Sequence, residues 1–453
     1  MEESWANGLD LHVDVSGSRP RAQLENALRD AVREGRLRPG TRLPSSRTLA
    51  ADLGVARNTV AEVYAQLVAE GWLAARTGSG TTVAQPPGTS PREHTPPALV
   101  SDQAAVATSR PRFDLRAGEP DLAAFPRGPW LAAARKALTA APDVALGYGD
   151  PRGLPVLRTV LAGYLARARG VAADPAYVVL CSGFAHGLAV VSRALRAGGV
   201  RQLAIEEYGH QWHRAVAARN GLTVTPLRVD EDGAVPDPGV PAALLTPAHQ
   251  FPLGMTLHPR RRREFARWGG VVIEDDYDGE FRYDRQPAGA MQALAPDNVV
   301  YCGTASKSLA PGLRLGWMVV PPRLLDAVLV ALDGGPSALD QLTLAEFITS
   351  GAYDRQIRRA RLAYRRRRDR LVAAVSPLGV RVVGIAAGHH GVITTSESLA
   401  LARAAEHGVA LDGLSQYARS DTATRTGLVI GYARPPEHAY TTALARLRAV
   451  LAS

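Results

Sequence analysis

Apolar residues recur at helical spacing near the start of the chain, where Leu24, Leu28, Ala31 and Val32 predict one helix. The stretch "GRLRPGTRLP" ends it with Gly35, Pro39 and Gly40. In "PSSRTLAADLG", Ser45 or Ser46 can cap a short second helix with Leu49 and Leu53 on one face, and Gly54 suits its close. "VARNTVAEVYAQLVAEGWL" then resumes the helical period after a tight turn. Val60, Val63 and Leu67 face inward there, so Arg57, Asn58 and Thr59 project from the opposite side of the first turn. Two short extended pieces around Gly78 and Gly80 in "AARTGSGTTVA" predict a hairpin. After Phe113 the pattern changes. "YVVLCSG", "QLAIEE", "AALLTP", "GGVVIEDD" and "NVVYCGTAS" are short apolar runs without two-residue alternation, separated by helical stretches. Such runs predict strands buried on both faces of a mostly parallel sheet, an α/β domain.

The two patterns meet in Val83 to Arg112, rich in Pro, Ser, Thr and Ala and without sustained apolar periodicity, which reads as a linker. The expected organisation is a small, mainly α domain over residues 1–84, a linker over 85–112 and an α/β domain over 113–453. No run approaches the roughly 20 apolar residues of a membrane span, so a soluble protein is expected. The start, "MEESWANGLDLHVD", lacks both regions of a signal peptide, and Cys181 and Cys302 are the only cysteines. A reducing cytoplasm is therefore expected, with neither a disulfide framework nor a zinc or other metal site.

The net charge of +10 permits nucleic-acid binding. Between Arg19 and Ala84, ten arginines stand against six acidic residues, a net of +4. Much of the remaining excess lies in "RRARLAYRRRRDR", Arg358 to Arg370, which reads as a solvated helix face, with a DNA-facing patch as the other reading. Helix, short turn and helix, with polar donors at the second N-terminus, is helix-turn-helix geometry. Ser45, Ser46, Arg47, Arg57, Asn58 and Thr59 supply the hydroxyls, amide and guanidinium groups that position phosphates and reach base edges in double-stranded DNA. From Gly35 to Val83 the sequence closely resembles the winged helix-turn-helix of GntR-type bacterial repressors. The resemblance adds the wing residues Thr77, Gly78 and Ser79 to the expected DNA-binding set.

Ligands of parallel sheets bind beyond the strands' carboxyl ends, which here carry Ser182-Gly183, Glu206-Glu207, Asp275-Asp276-Tyr277 and Thr304-Ala305-Ser306-Lys307. Lys307 and Lys136 are the only lysines in an arginine-rich chain. An amine forms a Schiff base with an aldehyde, whereas the delocalised guanidinium does not serve for this. Pyridoxal phosphate (PLP) needs such a lysine, an acidic partner for its ring nitrogen, and a phosphate cup of hydroxyls, N–H groups and an arginine. Lys307, Asp275, and the group Ser182, Gly183, Thr304, Ser306 and Arg314 meet those needs.

"FDLRAGEPDLAAFP", "TPAHQFPLGM", "IEDDYDGEFRYD" and "TASKSLAPGLRLGW" resemble fold-type I aminotransferases, and in particular the aminotransferase-like half of MocR regulators, the GntR subfamily that contains GabR and PdxR. The likeness is more to the PdxR type than the GabR type. It implies that Lys307 forms the internal aldimine, that Asp275 pairs with the pyridine nitrogen and Tyr277 lies near the phenolic oxygen, and that the protein is a homodimer. Three positions depart from the pattern. Where a tyrosine usually stacks on the ring, "EEYGHQWH" places His210, with Tyr208 or Trp212 as possible substitutes. A glutamine of the phosphate turn is replaced at Ala185 or His186. In "TGLVIGYARPPEH", Leu428 and Val429 occupy the region of the arginine that holds a substrate carboxylate, with only Arg425 and Arg434 flanking it. A buried carboxylate without that partner is costly, unless Arg425 or an arginine of a dimer partner reaches the site. The expected function is a DNA-binding transcriptional regulator, not an enzyme, controlled by PLP itself and acting on vitamin B6 genes. A regulator with PLP as fixed cofactor and an amino compound as signal, and a working aminotransferase with an attached DNA-binding module, stay open.

Overall fold

The computed structural model describes residues 20–76, 80–84, 112–283, 289–419 and 424–452. The chain divides into two compact units, residues 1–105 and 106–453. The expected linker lies, apart from Arg112, outside the described residues, as do the wing residues Thr77, Gly78 and Ser79.

In the first unit α1 spans Pro20–Arg33, α2 Ser46–Leu53 and α3 Arg57–Ala69, followed by the antiparallel strands β1 (Leu73–Arg76) and β2 (Gly80–Val83). Ser45, in extended backbone, caps α2 by accepting the Thr48 N–H at 3.1 Å. Gly54 closes it at φ 63°, a left-handed conformation that glycine adopts without steric penalty. Leu24, Leu28 and Ala31 of α1 pack with Leu49 and Ala50 of α2 and with Val60, Val63 and Leu67 of α3. Leu73 and Val83 seat the hairpin on that core.

The second unit is built on seven strands: β3 (Val178–Cys181), β4 (Gln202–Glu206), β5 (Thr223–Leu227), β6 (Ala242–Leu245), β7 (Val271–Asp275), β8 (Val299–Thr304) and β9 (Gly316–Val319). Their order is β3-β9-β8-β7-β6-β4-β5, with β9 antiparallel to both neighbours and the pairs among β4 to β8 parallel. Alternate residues serve two cores: Val178 and Leu180 pack on one side of the sheet, Val179 and Cys181 on the other. Burial on both faces removes any need for polar alternation, which is why these strands read as continuous apolar runs. A smaller antiparallel sheet follows, in the order Val382–Val383, His390–Ile393, Leu428–Gly431, Asp412–Gly413.

The arginine run keeps the solvated face expected of it at Arg358, Arg359, Arg365 and Arg366, and departs from it at Arg367. It lies on the helix Ala352–Val375, whose buried face carries Ile357, Ala360, Tyr364, Arg367, Leu371 and Val375. Arg367 is buried and pairs with Asp121 at 2.7 Å and Glu437 at 2.9 Å, while donating to the Ala433 carbonyl at 2.7 Å. Arg365 and Arg366 remain exposed. Among the described residues no helix is long and apolar enough to cross a membrane.

Candidate cofactor site and nucleic-acid interface

The carboxyl ends of β3, β7 and β8 and the start of antiparallel β9 meet at one edge of the large sheet. Lys307 stands three residues beyond β8, half-buried, and its Nζ donates to the Gly118 carbonyl. Burial pulls its amine below the usual lysine range, against the opposing pull of Asp275, Asp278 and Glu119. Asp275, the last residue of β7, is 5 % exposed, and its Oδ1 has no hydrogen-bond partner. Burial pushes that carboxyl well above the usual range; the Lys307 charge opposes this, and Asp276, Asp278 and Glu206 add to it. An unsatisfied buried carboxylate oxygen is costly and calls for a partner. A protonated ring nitrogen is such a partner.

The Tyr277 hydroxyl lies 3.1 Å from His249 Nδ1, which also meets Asp278 Oδ2 at 2.8 Å. Burial, then the Asp278 charge, raises the Tyr277 phenol well above its ordinary value, so it stays protonated. His210 stacks on Phe251, with ring centroids 4.1 Å apart and planes inclined by 14°. Its two suggested substitutes are placed elsewhere. Tyr208 is 1 % exposed in a cluster with Val229 and Leu414, and its hydroxyl accepts the Arg425 N–H at 3.0 Å. Trp212 is 45 % exposed, with Arg219 over its ring.

Gly183, at φ 90°, precedes the helix Phe184–Ala197. A Cβ there would come within 3.4 Å of the Arg314 guanidinium, so the glycine lets backbone and cation approach closely. Arg314 itself is in left-handed backbone at φ 52°, alone among the described non-glycine residues; its N–H donates to the Pro311 carbonyl at 3.3 Å, while its guanidinium makes no ion pair or hydrogen bond among the described residues. Thr304 is buried and holds its turn, donating to the Leu315 carbonyl at 3.2 Å and accepting the Ser306 N–H at 3.1 Å. Ser306 is half-buried, 2.9 Å from the Thr304 hydroxyl. The Ser182 N–H donates to His186 Nδ1 at 2.9 Å, and His186 Nε2 meets Asp333 at 3.0 Å. His186 thus occupies one N–H of the turn. An open carboxylate oxygen, a nucleophilic amine and an unpartnered guanidinium beside a helix N-terminus together fit a phosphorylated pyridine aldehyde.

Leu428 and Val429 are fully buried in the strand Leu428–Gly431 and bring no cation to the site. Arg434 is engaged with Asp114 at 3.3 Å and Glu119 at 3.0 Å. Sequence reading passed over His249, Asp278 and His389. "TPAHQFPLGM" and the paired histidines of "AGHHGV" were the available signals, but their polar residues match no fixed spacing.

In the first unit the charges divide. Arg21 pairs with Glu25 and Glu62, and Arg29 holds Glu70 through two nitrogens at 2.8 and 2.9 Å. Arg38, Arg42, Arg47, Arg57 and Arg76, by contrast, make no ion pair among the described residues. Arg47, Arg57 and Asn58 are exposed, while Ser46 and Thr59 are half-buried. Ala56 precedes α3 without a side-chain cap: the Thr59 N–H goes to the Ala56 carbonyl at 3.0 Å, and the Arg57 and Asn58 N–H groups have no capping side chain. Cations without carboxylate partners beside an uncapped helix start form an anion-facing surface.

Residues 20–83 match the bacterial regulatory protein gntR family, and residues 111–416 match aminotransferase class I and II. The pyridoxine biosynthesis transcriptional regulator PdxR of Corynebacterium glutamicum is 31 % identical over 93 % of this chain and 94 % of its own length. The probable rhizopine catabolism regulatory protein MocR of Rhizobium meliloti is 35 % identical over 81 % of this chain and 78 % of its own. An archaeal alanine:glyoxylate aminotransferase superposes with a TM-score of 0.68 at 22 % identity, covering 77 % of this chain and 92 % of that one. The aminotransferase fold implies dependence on PLP. Winged helix and aminotransferase-like domain occur in one polypeptide, and the relatives aligned along nearly its whole length are helix-turn-helix regulators: the chain belongs to the MocR subfamily of GntR-type transcriptional regulators.

Proposed function

We propose that this regulator senses PLP itself, bound at the carboxyl edge of the large sheet, and responds by changing its hold on operator DNA. One contrast carries the reading. The edge offers an open Asp275 oxygen, the Lys307 amine and the unpartnered Arg314, while the strand Leu428–Gly431 offers no cation for an amino acid carboxylate. Bound there, PLP supplies an aldehyde that condenses with an amine. Lys307 supplies that amine, Asp275 holds the ring nitrogen and Tyr277 faces the phenolic oxygen. Gly183, Ser182, Ser306, Thr304 and Arg314 would make the phosphate cup, and His210 would cover one ring face. The Ser182 N–H already given to His186 weakens the cup, as suits a reversibly bound signal.

A homodimer is supported by the exposed apolar residues Leu131, Leu138, Val144, Leu146, Tyr148 and Val156, which would be costly to leave in water. The likeness to PdxR supports vitamin B6 genes as targets in the cytoplasm. Moving a two-state regulator from 1:99 to 99:1 takes about 5.5 kcal/mol of differential ligand binding. A covalent link at Lys307 together with a phosphate grip, made in one of the two arrangements only, would have to supply that difference.

The test is a titration of cofactor-stripped protein with PLP, followed by visible absorption. Saturable, reversible, Lys307-dependent binding is expected. Protein that purifies yellow and resists stripping would make PLP a fixed cofactor and some amino compound the signal.

The DNA side makes its own prediction. Changing both Arg47 and Arg57 to Ala lowers operator affinity about 10- to 100-fold and reduces the slope of log affinity against log salt by about 2, one for each lost phosphate contact. Fluorescence anisotropy over a salt series reads both numbers. Wild-type affinity in that variant would remove the two arginines from the interface.

A further inference from the structure

The imidazole of His186 is held at both of its nitrogens. Nδ1 accepts the Ser182 N–H at 2.9 Å, and Nε2 meets Asp333 Oδ1 at 3.0 Å. A neutral imidazole carries one proton, and these two partners decide where it sits. The hydrogen bond from His186 holds the Asp333 carboxyl below its usual range, so that group is ionised and only accepts. Nε2 therefore carries the proton, and Nδ1 presents a lone pair to the turn. Asp333 is itself fixed in place. Arg193 Nη2 reaches the same Oδ1 at 3.0 Å while donating to the Ala331 carbonyl at 2.8 Å, and its Nη1 donates to Asn220 Oδ1 at 3.0 Å. No side chain caps the start of the helix Phe184–Ala197. A turn of this kind meets an anion with its N–H groups, yet here the Ser182 N–H is given to a side chain, and the atom it faces is electron-rich.

We propose that His186 is an internal competitor for the phosphate of the ligand, set in that role by Asp333, and so determines how strongly the site prefers a phosphorylated aldehyde to an unphosphorylated one. The inference deepens the reading of this edge as a PLP site and rests on it. A phosphate oxygen reaches the Ser182 N–H only after Nδ1 has left it, since one N–H serves one strong acceptor. A ligand without phosphate leaves that bond untouched. His186 therefore lowers affinity for the phosphate ester alone. A purely capping role makes the opposite prediction, because a turn that has lost its cap loosens and holds phosphate less well.

The test compares PLP with pyridoxal, which has the same aldehyde and ring but no phosphate, by visible titration of cofactor-stripped full-length protein. His186→Ala is expected to raise the preference for PLP about five- to tenfold, the scale of one hydrogen bond no longer contested. Asp333→Ala, at a side chain 67 % exposed, lets the ring turn a donor toward the phosphate and is expected to raise the preference about threefold. Made in the His186→Ala background, the same change is expected to add nothing, since Asp333 acts through the imidazole. An unchanged or lower preference in His186→Ala would overturn the proposal. So would an Asp333→Ala effect of equal size in both backgrounds, which is the mark of plain charge repulsion. Inorganic phosphate, titrated by calorimetry into the same four proteins, is expected to follow the same order of affinities. That arm needs no aldehyde: wild-type protein that forms no visible band with PLP would sink the PLP reading, and the phosphate affinities would still decide the part assigned to His186.

Discussion

Lys307→Ala is expected to abolish the visible band that PLP develops with the wild-type protein and to leave operator binding indifferent to PLP. Only an amine condenses with the aldehyde, and Lys136, the other lysine, is tied to Glu346 at 2.8 Å on another part of the domain. The phosphate cup and Asp275 survive the substitution, so residual non-covalent binding persists. A loss of about 100-fold in affinity, about 2.7 kcal/mol, is the expected scale. Lys307→Arg is the sharper variant: it keeps the positive charge beside Asp275 and still fails, because guanidinium does not form the link. A titration in which either variant kept the wild-type band would place the reactive amine elsewhere.

Arg367→Ala is expected to destabilise the large domain by about 3–5 kcal/mol, the scale for removing one member of a buried ion pair. The variant strands the Asp121 carboxylate, 8 % exposed, and frees the buried Ala433 carbonyl. Changing Asp121 to Asn in the same chain recovers about half the loss, since the uncompensated charge is then gone. Urea denaturation with a double-mutant cycle measures both terms. Arg365→Ala with Arg366→Ala, by contrast, leaves stability within about 0.5 kcal/mol, because both side chains are exposed. This contrast decides how a DNA-facing role for the run is examined. Replacing the exposed pair tests it cleanly, whereas any set that includes Arg367 confounds DNA affinity with folding.

Much of the fold could be read from the chain because local and long-range signals agree. Leu24, Leu28 and Ala31 repeat at helical spacing and all three are buried; five apolar runs are five strands of one sheet. The strand Thr223–Leu227 escaped notice because it lies at the sheet edge, where only Leu227 is fully buried and threonine and proline break the apolar run. Gly316–Val319 was hidden inside the motif that carries Lys307. Arg367 shows the same limit on a helix. Its spacing from Tyr364 and Leu371 places it inward, but charge alone does not tell a paired buried arginine from a solvated one. The site was legible where chemistry demands one residue type, as at Lys307 and Asp275. It was not legible where long-range packing decides, as at His210, where only the fold separates the ring on Phe251 from Tyr208 in the core and Trp212 in solvent.

The most direct test of PLP control is the operator affinity of the full-length regulator, measured by anisotropy with and without saturating PLP in wild type and in Lys307→Ala. A change of at least tenfold in the wild type, absent from the variant, is the predicted result. Equal affinity with and without PLP in the wild type would contradict it.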